Sequence, residues 1–270
     1  GLSPIIGDAD DGRFLIFSNY PHWNKRDFNH ILAIAGEYFN RDDFRIFGKE
    51  YSEDALWTIG SFKTVQKNFQ LSSKGYDTEG YYILRNSRIY CMVRCGQFGL
   101  QGHGGHCHND QLSIELSVDG EDFIIDPGTY AYSSDYKMRN LFRSTKMHNT
   151  LFIDNLEQND FNEYDLFCMK EESFAKCSLF NETTFIGRHY GYMEKCGVIH
   201  ERQVNLKNKE LIIIDRAIGN KISNAHINFL LDYEVTIEEK QGGIQLSKNG
   251  RKILLLFPGE FSIKDAFISY

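Results

Sequence analysis

The sequence predicts a mostly β fold, an antiparallel sandwich or barrel preceded by a short helical stretch. Three observations carry that prediction. From Gly80 onward, short apolar runs alternate with turn residues and no long helical pattern separates them, as parallel strands would require. Aromatic residues are abundant, 21 Phe and 15 Tyr in 270 residues, and they suit pleated, half-buried surfaces. A helical spacing of apolar residues is confined to the first quarter of the chain.

In chain order, Asp27 is the expected N-cap of a helix whose apolar stripe is Phe28, Ile31, Leu32, Ile34, Ala35 and Tyr38. A second short helix is expected after Ser52, with Glu53 and Asp54 at its positive end and Gly60 as its stop. Residues 61–78 are polar, so the expected division is 1–75, helical with a linker, and 76–270, β. The expected strands are 81–84, 89–93, 112–118, 123–125, 150–153, 198–204, 211–214, 227–231 and 253–257. Leu112, Ile114, Leu116 and Val118 alternate with Ser113, Glu115, Ser117 and Asp119, giving one apolar and one polar face, and Asp119-Gly120 marks a tight hairpin.

The formal net charge of −7 opposes nonspecific binding to nucleic acid, and no apolar run approaches the length of a membrane helix. An acidic ligand would need a local basic patch. Lys137, Arg139, Arg143 and Lys146 lie in a stretch free of Asp and Glu, and on charge alone they read equally as a solvated basic loop. The six cysteines make no CxxC pair, and most are expected to be free and buried, which suits a reducing compartment. Gly1 to Pro4 lacks the pattern of a signal peptide, and the chain reads as a piece of a longer protein.

The chemistry concentrates in Gly102-His103-Gly104-Gly105-His106-Cys107-His108-Asn109-Asp110, then Asp126-Pro127-Gly128-Thr129-Tyr130, then residues 139–150. Two imidazoles and a carboxylate are a common zinc set. His106 and His108 alternate along an extended segment, so they face opposite ways and fit two different jobs. A polar, Gly-rich surface loop remains the plainer reading of the segment. Several divalent ions suit such donors. His22, His30 and His226 lie in helix or strand patterns and read as ordinary histidines.

The run HCHNDQLSIELSVDGEDFIIDPGTY, followed by RNLFRSTKMHNT and IDNLEQ, resembles the signature of the heparinase II/III family of polysaccharide lyases, and GDADDGR at Gly7–Arg13 resembles a segment upstream of that family's β-domain. The resemblance implies a two-sheet antiparallel β-sandwich preceded by the remnant of an α/α toroid. It assigns His106 to the catalytic cleft, and His108, Asp126 and His148 to a divalent metal, zinc by preference and structural in role. Tyr130, Arg139 and Arg143 become candidate contacts to an acidic polysaccharide, with loop bracing the other reading of the two arginines. Asp110 and Asn149 become supports behind the ligands, Asp110 also being the rival carboxylate. An extra Gly-His pair leaves His103 as a second candidate for the catalytic position. A simple hairpin at Asp119-Gly120 would pair Asp126 with Ser113 rather than His108, so the ligands meet only if the Gly-rich approach curls back or a bulge shifts the register.

Lyases of this kind cleave beside a uronic acid by β-elimination, and their Tyr and their Asn or His belong to the toroid. The resemblance therefore implies a C-terminal portion that is inactive without that toroid, in a protein of the periplasm or the exterior. A noncatalytic, metal-stabilised carbohydrate-binding module is the alternative, and a zinc hydrolase a weaker one, since no general base is evident near the ligands.

Overall fold

The computed structural model describes residues 2–9, 17–20, 23–66, 69–99, 102–220, 222 and 224–266. Residues 10–13 of the GDADDGR segment and His22 lie outside the described residues. The chain divides into two compact units, one of Gly1–Pro4 with Asp10–Leu71, the other of Ile5–Ala9 with Ser72–Tyr270.

The first unit holds helices α1 (Asn29–Tyr38), α2 (Asp42–Gly48) and α3 (Ser52–Ile59), with a 3-10 turn at Lys49–Tyr51. The N-cap of α1 is Phe28, one residue past the expected Asp27, and makes no side-chain cap bond; Asp27 stands just ahead of it, its Oδ1 accepting the Asn29 N–H at 2.9 Å. The buried side of α1 is nevertheless His30, Ala33 and Gly36, while Ile31 and Tyr38 of the expected stripe are exposed. Close approach decides this. A Cβ on Gly48 of α2 would lie 2.3 Å from the Ala33 nitrogen, so only small residues fit between the helices. α2 carries little apolar periodicity and is held instead by Arg45, which donates to Glu37 at 2.6 Å and Asp42 at 2.9 Å. α3 ends at Gly60, left-handed at φ 85°, and its N-cap is Tyr51, with no side-chain cap bond, so Ser52 is the first helical residue rather than the cap.

The second unit is antiparallel throughout its described pairings. β1 (Lys74–Tyr76), β2 (Tyr81–Arg85), β3 (Ile89–Arg94), β4 (Ile114–Val118) and β5 (Glu121–Ile124) form one sheet in sequence order. After β6 (Leu151–Ile153) come β7 (Lys176–Phe180), β8 (Thr184–His189), β9 (Val198–Leu206) and β10 (Leu211–Gly219), a second sheet of four. β11 (Ala225–Ile227) pairs with β6, and β12 (Thr236–Lys240), β13 (Gly243–Lys248) and β14 (Arg251–Leu256) form a sheet of three. Two short helices, α4 (Tyr136–Phe142) and α5 (Met193–Cys196), interrupt the strands. One apolar core joins the sheets, with Leu84, Val93, Leu112 and Ile114 meeting Phe185, Val204 and Leu246.

Two details of β4 position the site. Its apolar face is buried as the alternation predicts, but Ser113 and Glu115 on the polar side are buried too. Both are covered by chain that satisfies them: Ile5 N–H donates to Glu115 Oε1 at 2.9 Å, and Asn149 N–H to Ser113 Oγ at 3.0 Å. The hairpin turns at Asp119 (φ 52°) and Gly120 (φ 86°), the positive pair that a two-residue turn demands. Its ladder begins Val118 opposite Glu121 and Ser117 opposite Asp122, then shifts so that Leu116 meets Ile124. That bulge moves the approach to Asp126 by one residue from the register a simple hairpin would give.

All six cysteines are free, but only Cys91 and Cys95 are buried, fewer than expected. Burial pushes both thiols up to about 12. Among the described residues, no helix is long and apolar enough to cross a membrane.

Candidate metal centre and the histidine beside it

The site is built from described residues of the second unit. The Gly-rich approach delivers His106 and His108. Gly104, left-handed at φ 60°, packs so tightly that a Cβ would meet the Met169 carbonyl oxygen at 2.5 Å. The bulged end of the hairpin leads to Asp126, whose Oδ1 accepts the Gly128 N–H at 2.9 Å. A 3-10 turn over Thr145–Met147 delivers His148. Asn149 fixes this geometry from behind. Its amide donates to the carbonyls of Ile114 and Ile125, both at 2.8 Å, and its Oδ1 accepts the Leu230 N–H at 2.6 Å.

His108, Asp126 and His148 are buried, and one donor atom from each lies within 4.8 Å of the others, so the group could hold a metal ion. The chemistry of the donors fits. His148 Nδ1 is 2.9 Å from Asp126 Oδ2, while His148 Nε2 and His108 Nδ1 are buried nitrogens with no hydrogen-bond partner. Orphaned imidazole nitrogens at the same buried place cost stability unless something accepts their lone pairs, and a cation does so. Burial works against a charge on His148, but the adjacent Asp126 carboxylate outweighs it and draws that pKa upward. Asp110 is not in the group; its side chain stands 4.0 Å from Arg94 Nε, and its carbonyl accepts the Ser113 N–H.

His106 stands apart in exposure: its side chain is 59% exposed, against 0% for His108. Its ring lies 5.9 Å from that of Tyr132 and 5.7 Å from that of Phe167. The two histidines differ in exposure, but they do not point to opposite faces as alternation along an extended segment would have them: residues 105–106 form a turn, and both rings reach one carboxylate. Asp8 Oδ1 is 2.8 Å from His108 Nε2 and Asp8 Oδ2 is 3.0 Å from His106 Nδ1. His103 is exposed, and its backbone carbonyl accepts the Met169 N–H at 3.0 Å.

The basic stretch is a capped helix as far as Phe142, with Arg143 at its C-cap and Lys146 in the 3-10 turn that follows. Asp135 Oδ1 accepts from Lys137 and Met138 at the start of α4, and Arg139 and Arg143 turn inward together. Arg139 donates to Asp8 Oδ2 at 2.6 Å and to the Leu166 carbonyl. Arg143 donates to the carbonyls of Asn162, Asp165, Leu166 and Cys168. Burial, followed by the like charge of Arg139, pushes Arg143 down to about 10. Both guanidinium groups are buried and directed at Asp8 and at backbone carbonyls, although Arg139 Nε is a buried nitrogen with no hydrogen-bond partner. Lys137 and Lys146 remain exposed. Tyr130 is exposed and lies over Phe142, ring centres 5.3 Å apart.

Three participants escape sequence reasoning: Asp8, Glu157 and the aromatic pair Tyr132 and Phe167. Glu157 Oε2 gathers Asn109 Nδ2, Thr145 N–H and Thr145 Oγ1 within 2.9 Å, tying the His108 segment to the turn before His148. Asp8 and Glu157 do lie in GDADDGR and IDNLEQ, so those motifs were the available signal.

A profile of the family described as heparinase II/III-like, C-terminal, matches residues 70–266. The heparin-sulfate lyase of Pedobacter heparinus is 29% identical over 170 residues, 59% of this chain and 23% of the relative. Among solved structures, a heparinase III superposes with a TM-score of 0.65 at 19% identity, covering 93% of this chain and 36% of that one. The heparan sulfate lyase of Pedobacter heparinus gives 0.61 at 20% identity, covering 91% and 34%. These structural likenesses are of fold. The matched part is about a quarter of the length of the curated relative and about a third of the solved chains, which have further regions beyond it.

Proposed function

The chain belongs to the heparinase II/III-like family through its C-terminal domain, and from that premise we propose that it forms the β-portion of a polysaccharide lyase. The substrate class is a uronic-acid-containing polysaccharide, with glycosaminoglycans first and alginate second. The reaction is β-elimination, in which the C5 proton is removed, the sugar carboxylate is neutralised and the leaving oxygen takes up a proton.

The observation that carries this reading is an exposed His106 held beside a buried His108/Asp126/His148 group. His106 serves as the catalytic histidine, because an imidazole can accept or donate a proton near neutral pH. His108, Asp126 and His148 would hold a divalent ion, zinc by its donors, which would fix the loops around His106. Tyr130 offers an exposed ring to a sugar. Tyr and Asn or His from a helical toroid complete the site, as the family resemblance implies, so the β-portion alone gives little turnover.

The test is turnover of heparan sulfate and alginate by protein that includes the helical region, followed by the ultraviolet absorbance of unsaturated uronide products. His106→Ala should lower kcat by about 100-fold or more while leaving metal content unchanged. Undiminished turnover in that variant overturns the assignment, and binding without any product favours a carbohydrate-binding module.

A further inference from the structure

The residue that joins the two halves of this site is Asp8, whose side chain is 0% exposed. A buried carboxylate can only accept hydrogen bonds, and three donors converge on it. His108 Nε2 lies at 2.8 Å, His106 Nδ1 at 3.0 Å and Arg139 Nη2 at 2.6 Å. The segment that carries Asp8 is fitted to this place. Ile5 is buried and anchored to Glu115 of β4, and Asp8 N–H donates to the His106 carbonyl at 3.0 Å. Gly7 is left-handed at φ 51°, and a Cβ there would lie 2.3 Å from the His106 oxygen.

The tautomers follow from these distances. Arg139 Nη1 also approaches His108 Nε2, at 3.3 Å, and since guanidinium nitrogens only donate, that contact would need a bare Nε2. The Asp8 contact needs the proton on Nε2; it is shorter and charge-assisted, so it prevails. With the proton on Nε2, the lone pair of His108 is on Nδ1, the buried nitrogen that lacks a partner. In His106 the assignment is reversed: the proton is on Nδ1 and Nε2 is left for the substrate.

Resting on the lyase reading above, we propose that Asp8 is a positioning residue that sets the tautomers of both histidines of the His106-Cys107-His108 pair. It turns His108 Nδ1 toward the metal group and His106 Nε2 toward the sugar. Arg139 neutralises the carboxylate and holds it in place. One carboxylate thereby couples the lodging of the cation to the orientation of the working imidazole. Supports of this kind behind a metal ligand typically change metal affinity by about 10- to 100-fold.

The experiment compares the intact wild-type protein with Asp8→Asn and Asp8→Glu. Zinc affinity is read by competition with a chromophoric chelator, and histidine tautomers by nitrogen-15 NMR. Wild type should show His108 protonated at Nε2 and His106 at Nδ1. Asp8→Asn should lose those fixed signatures and bind zinc at least about tenfold more weakly. Asp8→Glu, which keeps the charge, should recover part of both. A merely structural role would leave the tautomers of a folded variant unchanged. Unchanged tautomers and zinc affinity in a folded Asp8→Asn overturn the proposal. If wild type binds no zinc, the metal reading fails by itself, and the tautomers then decide the role of Asp8.

Discussion

At the residue scale, buried histidines differ in whether a neighbouring carboxylate or burial prevails: Asp215 lies 2.6 Å from His200 Nε2, yet burial wins there. His148 has a carboxylate neighbour that favours its charge. His189 and His200 pack ring to ring at 5.1 Å, and burial first, then mutual repulsion for His189, depresses both pKa values, His189 well below its ordinary value. Below them, Arg202 reaches Asp215 through Nε at 2.8 Å and Nη2 at 2.9 Å, and the Leu112 and Asn149 carbonyls through Nη1. A group whose folded pKa is depressed leaves the unfolded chain binding more protons. Stability present above the unfolded value of about 6.5 is therefore lost as pH falls below it. Between pH 7.5 and 5.5 the loss from His189 should be roughly 1 kcal/mol. Urea unfolding at both pH values should show a smaller acid loss in His189→Gln than in wild type; equal losses would contradict neutral burial of His189.

At the element scale, the strap of residues 5–9 and the bulged hairpin bring the site together. Gly7→Ala puts a Cβ where the His106 carbonyl stands and holds an L-residue at φ 51°. The left-handed backbone alone should cost about 1–2 kcal/mol, read by urea unfolding, and zinc affinity should fall with it as Asp8 is displaced. Full stability in Gly7→Ala would show that the strap is not seated as described. The strands were legible where period-two alternation was clear, as in β4, and the Asp119-Gly120 turn fixed their hairpin. The bulge was not legible, because no residue between Leu116 and Ile124 announces an extra position in the ladder. α2 and α4 also escaped, being short and held by Arg45 and by the Asp135 cap more than by any apolar stripe.

At the scale of the whole molecule, the second unit draws the His108, Asp126 and His148 segments together by sheet topology and by the Asn149 amide. That candidate metal group could be read from ordered motifs resembling a known family. The motif holding Asp8 was legible too, but its place in the site was not, because 98 and 100 residues separate it from His106 and His108 and only the folded chain makes them neighbours. Arg139 and Arg143 showed the limit of charge patterning, since a cluster of basic residues does not reveal whether it faces water or an enclosed row of carbonyls.

The most direct measurement is the divalent-metal content of protein purified from metal-replete medium, for wild type and for His108→Ala and His148→Ala. Wild type should hold close to one bound ion per chain, and both variants should lose it. A wild type that retains no ion, or a His148→Ala variant that retains it in full, would contradict a shared cation at these three side chains.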